Sequence, residues 1–193
     1  NGDLINLYIK QVNNYPKHLE DETAWLKDTK IIDTKSLNKI QKLFNIIINC
    51  KNKPIELAID RLCRALLRDN KEDAFLDILI GIEILLTDNE QNEVTYKLSM
   101  RIAYIMNSLN KIKDINYKNV LNELYKYRSA IVHGNSKKIK LSISKTLNRD
   151  CYSISLEIFQ CVLKTILLNE DLLNNKNIPK KIDEMIINSF CKF

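Results

Sequence analysis

Residues 75–86 read Phe-Leu-Asp-Ile-Leu-Ile-Gly-Ile-Glu-Ile-Leu-Leu, a stretch that is apolar on nearly every side when wound as a helix. A helix without a solvated face has to be covered all round, so it marks the centre of a bundle. Three glycines and three prolines in 193 residues supply few tight turns and argue against a sheet of many strands. The remaining apolar residues recur at the helical spacing, and at 45% of the chain they suffice for a sizeable single core. The expectation is an all-α, antiparallel bundle of six to seven helices over residues 36–193. Residues 1–35 are expected to be an N-terminal linker or the remnant of an upstream domain.

The first helix is expected to start at Ser36 as N-cap and to turn Leu37, Ile40, Leu43, Phe44, Ile47 and Ile48 inward. Pro54 opens the second, whose apolar face is Ile55, Ala58, Ile59, Leu62, Ala65 and Leu66. Across that helix Arg61, Arg64 and Arg68 share one stripe. The stripe reads first as a solvated face paired with Glu56, Asp60 and Asp69, and alternatively as a rail for backbone phosphates. The central helix, 72–86, carries Glu83 among apolar neighbours, where a carboxylate needs a cation or hydrogen-bond donors; Arg128 and Arg101 are the candidate cations. A fourth helix spans about 93–107 with Arg101 at its border, and a fifth 117–133. Residues 135–145, rich in lysine, are expected to form an extended loop, or at most a short strand. The sixth helix covers 151–168 and a terminal one 179–190. In the N-terminal part, Trp25 with Leu26, Ile31 and Ile32 forms an apolar clasp, and His18 reads as surface.

Thirty Lys and Arg against 24 Asp and Glu give a net charge of +6, compatible with a polyanionic partner without requiring one. The five cysteines have no CxxC spacing and read as reduced thiols, and with two isolated histidines they offer no zinc site. The longest uninterrupted apolar run falls far short of the ~20 residues that cross a bilayer, and no signal segment opens the chain. A cytoplasmic protein without cofactor is expected. The chain opens on Asn1 rather than methionine, which points to a longer protein with a further domain upstream.

The chemistry concentrates in Tyr125-Lys126-Tyr127-Arg128-Ser129-Ala130-Ile131-Val132-His133-Gly134. Arg128 falls on the apolar face of the fifth helix, where the pattern calls for a leucine and where an always-charged guanidinium needs a partner. Gly134 is a helix stop, so His133 sits on the last turn. From the spacing alone, the Arg is either an ion-pair strut or a phosphate ligand, and the His either a cap or a titrating catalyst.

Arg128-x4-His133, preceded by the helix bearing Glu83 and by Thr95-Tyr-Lys-Leu-Ser-Met-Arg101-Ile-Ala103, resembles the HEPN superfamily and in particular its Apea-like bacterial branch. The resemblance covers residues 36–168. It implies a metal-independent endoribonuclease acting as a homodimer with a cleft between protomers, in the setting of bacterial antiphage or abortive-infection defence, with a sensor domain upstream. Arg128 and His133 are then the catalytic residues. Ser129, Glu83 and Arg101 support the site; Arg61, Arg64, Arg68, Lys137, Lys138 and Lys140 would contact RNA phosphates, tRNA being one substrate class. The toxin branch carries a tyrosine two residues after the His. Here that position is Asn135, which argues against control by modification. The alternative reading is a non-catalytic HEPN module for dimerisation or nucleotide binding.

Residues five apart on an ideal helix point about 140° from each other. Arg128 and His133 can therefore act together in two ways: the last turn unwinds at Gly134, or the two groups meet across a symmetric dimer.

Overall fold

The computed structural model describes residues 33–88, 94–109, 115–134 and 138–191. The clasp of Trp25, Leu26, Ile31 and Ile32, together with His18 and Lys137, lies outside them. The chain divides into two compact units, residues 1–38 and 39–193. In the first, Asp33 rather than Ser36 begins the helix: its Oδ1 accepts the Ser36 N–H at 2.7 Å.

The helices run in the order α1 (Thr34–Asn49), α2 (Lys53–Leu67), α3 (Lys71–Leu86), α4 (Val94–Ala103), α5 (Tyr117–Val132), α6 (Lys138–Leu141), α7 (Cys151–Leu168), α8 (Glu170–Leu173) and α9 (Ile178–Phe190). Between α6 and α7 stands a two-residue antiparallel pair, β1 (Ile143–Ser144) and β2 (Arg149–Asp150), with Ile143 opposite Asp150. The all-α expectation holds for the described residues. Asparagine starts many of these helices, because its short amide accepts an orphan first-turn N–H without a long side chain to order. Asn70 caps α3, Asn116 caps α5, Asn169 caps α8 and Asn177 caps α9.

Central α3 buries nine of its sixteen residues and packs chiefly against α2 and α7. It approaches α7 tightly at Gly81, where an added Cβ would run into the ring of Phe159, itself fully buried. Helix α7 is long and apolar enough, by length and composition, to cross a membrane, yet half of it is buried inside the fold and nine of its residues line the core. It is a core helix.

Several expectations need correction. Helix α1 has no buried residue: within residues 39–49, Leu43 and Ile46 pack on the core while Ile40, Phe44, Ile47 and Ile48 lie exposed. The apolar residues of α1 thus form one broad stripe, and only the edge with Leu43 and Ile46 meets the core. Leu66 of α2 is 54% exposed. Helix α4 does not run on as one α-helix; after Ala103 it widens into a π-helix, Tyr104–Leu109. Residues 138–141 wind into α6 instead of extending, while Ile143–Ser144 forms the short strand. The added α8 fills the interval between α7 and α9.

Replacing Gly81 by Ala should destabilise the fold by about 1–3 kcal/mol, because the methyl group has to displace a ring locked in the core. Urea unfolding of Gly81→Ala beside the double variant Gly81→Ala/Phe159→Leu measures it, and the smaller side chain is expected to recover part of the loss.

Candidate functional site

Helix α5 turns Tyr117, Val120, Leu121, Leu124, Tyr127 and Ala130 inward. The inward stripe passes through position 127, not 128. Tyr127 stacks at a tilt on Phe75 of α3, ring centroids 4.8 Å apart, and this contact rolls α5 so that Arg128 comes to the edge of the core. Its side chain keeps 38% of its surface. The expectation of an inward guanidinium is corrected by that roll.

At this edge Arg128 meets Glu83. Arg128 Nη1 stands 3.6 Å from Glu83 Oε1, an ion-pair distance longer than a hydrogen bond. The same Oε1 accepts the hydroxyl of Tyr125 at 2.7 Å. Arg128 also lies over the Tyr125 ring, its guanidinium carbon 5.8 Å from the centroid. Residues 125 and 128 are three apart on one helix and therefore share a face, so one carboxylate from α3 engages both. Burial, then the hydrogen bond to Glu83, raises the Tyr125 hydroxyl above its ordinary value, and the group stays a proton donor throughout the physiological range.

The helix is regular up to its end. The His133 N–H still donates to Ser129 O at 3.0 Å, and the chain reverses only at Gly134, with φ of 60°. His133 and Ser129 are both exposed. The turn therefore unwinds after the imidazole, too late to swing it towards Arg128.

Arg101, expected at the border of its helix, is 1% exposed and belongs to a different cluster. It donates to both carboxylate oxygens of Asp183 at 2.8 and 2.6 Å, to Asp88 at 2.7 Å and to the carbonyl of Leu86 at 2.6 Å. A guanidinium so fully partnered ties α4 to α9 and to the end of α3. The cation that meets Glu83 is Arg128.

The arginine stripe of α2 divides as well. Arg64 pairs with Asp60 at 2.9 Å on the surface, while Arg61 and Arg68 each hold one oxygen of Asp77 at 2.7 Å. Asp77 is 3% exposed. Burial pushes its carboxyl up, and the hydrogen bonds from Arg68 and Arg61 outweigh burial and hold it below its ordinary value. Lys140 is exposed.

Three residues here gave no signal in the sequence. Asp77 sits in an apolar run with its cations on another helix, and Tyr125 passes for a core aromatic. Glu123 of α5 accepts from the Ser144 hydroxyl and from the Thr146 N–H and hydroxyl, the last at 3.0 Å, so it pins the β1–β2 turn to the helix that carries Arg128. Burial raises its carboxyl, but the hydrogen bonds from Ser144 and Thr146 bring it below its ordinary value.

The comparisons with known proteins add nothing to this geometry. No family model, curated protein or solved structure matches the chain.

Asp77 should make stability fall in acid. Its folded value lies below 3.8, so its contribution is complete above that value and drains away as pH drops through the lowered one. Asp77→Asn is expected to cost about 2 kcal/mol at neutral pH, by leaving two guanidinium groups without their carboxylate. Chemical unfolding of both proteins from neutral to below about pH 4 should show the gap closing as the wild-type carboxylate protonates.

Proposed function

We propose that this chain is a HEPN-type, metal-independent endoribonuclease that works as a homodimer. The observation that carries the reading is the placement of Arg128: held at the core edge by Glu83 at 3.6 Å, it keeps over a third of its side-chain surface open, five residues before an exposed His133. A strut would close its guanidinium on carboxylates, as Arg101 does. Arg128 instead keeps donors for an incoming phosphate.

Cleavage needs a base for the 2′-hydroxyl, an acid for the departing 5′-oxygen and a cation for the charge that builds on phosphorus. The 2′-oxygen attacks phosphorus as its proton passes to an imidazole, and the P–O5′ bond breaks as a second imidazole protonates the leaving oxygen. The products are a 2′,3′-cyclic phosphate and a 5′-hydroxyl. A symmetric dimer supplies both imidazoles, one from each copy of His133. The late turn at Gly134 supports this arrangement, since the backbone is helical through His133 and residues five apart on a helix point about 140° from each other. Arg128 stabilises the phosphorane, and the Ser129 hydroxyl orients the phosphate.

Arg61 and Arg68 are engaged first by Asp77. Contact with flanking phosphates therefore falls to Lys140, Lys137, Lys138 and Arg64. Arg101 and Glu83 support the site through the fold, the first by joining α4 and α9, the second by holding Arg128. The setting we assign is a cytoplasmic effector of bacterial antiphage defence, governed by a sensor outside this chain, with tRNA among its substrates.

Incubation of the purified protein with total tRNA and with an unstructured RNA in EDTA tests the assignment. Wild type is expected to give cyclic-phosphate ends. His133→Ala and Arg128→Ala should each lose at least about a hundredfold in rate while keeping their fold and oligomeric state. A folded dimer that cleaves neither RNA would move the reading to a non-catalytic dimerisation or nucleotide-binding module.

A further inference from the structure

We propose that Tyr125 is a positioning residue for Arg128: by donating its hydroxyl proton to Glu83 Oε1, it keeps that carboxylate from closing on the guanidinium. The inference rests on the reading of Arg128 as the phosphate ligand.

The geometry is that of two donors competing for one oxygen. Tyr125 Oη lies at 2.7 Å from Glu83 Oε1, a full hydrogen bond, while Arg128 Nη1 is left at 3.6 Å from the same atom. The side chain of Glu83 is 24% exposed, so its carboxylate is partly stripped of water and needs protein donors. Were Arg128 the only one available, the attraction would draw it to charge-assisted hydrogen-bond distance, near 2.8 Å. The guanidinium would then resemble that of Arg101, spent on carboxylates and closed to a phosphate. Tyr125 meets part of the demand of Glu83 with a neutral donor. The carboxylate keeps its charge and still steers Arg128 from a distance, while the tyrosine ring supports the cation from below at 5.8 Å. The site thus holds its cation in a defined place without neutralising it.

Phenylalanine at 125 separates the two roles of the tyrosine, because it keeps the ring and removes only the hydroxyl. Tyr125→Phe is expected to let Glu83 close on Arg128. In ¹⁵N-arginine NMR of the full chain, the rotation of the Arg128 guanidinium should slow and its Nε–H resonance should shift, with the resonance assigned from Arg128→Lys. In RNA cleavage the same variant should raise KM roughly tenfold with a smaller change in kcat, because a phosphate must now break an ion pair to bind. Adding Glu83→Gln to Tyr125→Phe removes the competing charge and should bring KM back towards the wild-type value. A merely structural tyrosine would not be rescued by a second change at the carboxylate. An Arg128 resonance unaltered by Tyr125→Phe, or a KM that does not rise when the resonance moves, overturns the proposal. If wild type cleaves no RNA and the Arg128 resonance still responds to Tyr125→Phe, the nuclease reading falls and the coupling of Tyr125, Glu83 and Arg128 stands.

Discussion

The burial of α3 between α2 and α7 is the constraint on which the rest of this structure depends. The apolar packing on α7 requires close approach, and Gly81 allows it by leaving the space that the Phe159 ring fills. Each such ring buries ~150–250 Å². At ~25 cal/mol per Å² of apolar surface removed from water, burial of this kind outweighs any single polar contact in the chain. The polar contacts decide something else, namely the orientation of the surrounding helices.

Two carboxylates ride on α3 and illustrate the point. Asp77 and Glu83 sit six residues apart, about 600° round the helix and hence on separated faces. Each meets cations from a different neighbour. Asp77 is almost wholly buried and takes two guanidinium groups from the α2 side at full hydrogen-bond distance. Glu83 is only partly buried and takes one tyrosine hydroxyl and one distant guanidinium from α5. Desolvation explains the contrast. A buried charge has to be matched closely, whereas one at the core edge can be shared, and sharing leaves its partner free to bind something else.

The third cluster, around Arg101, shows what an arginine looks like when structure alone uses it: four hydrogen bonds to two carboxylates and a carbonyl, with 1% exposure. Arg101 and Arg128 looked equivalent as partners for Glu83 because both are helical arginines near apolar residues. The fold separates them through the C-terminal helix. Asp183 lies 82 residues from Arg101 in the chain, and no local pattern announces that pairing.

What the sequence by itself determined is the helical content and the position of most helices. The 3.6 spacing and its interruption by polar segments act over one or two turns, and α3, α5, α7 and α9 lie within a residue or so of where those signals put them. Arg128 as one of two candidate cations for Glu83 was legible for the same reason, and so was the helix stop at Gly134. Which part of a broad apolar stripe faces inward, as in α1, and where a charge finds its partner follow from packing between helices. Arg128 moved to the core edge because Tyr127 stacks on Phe75, and Tyr125 joined the site because α3 carries Glu83 to it. Those outcomes depend on the separation and roll of helices distant in sequence. Side-chain packing between them sets both, and no window along the chain contains it.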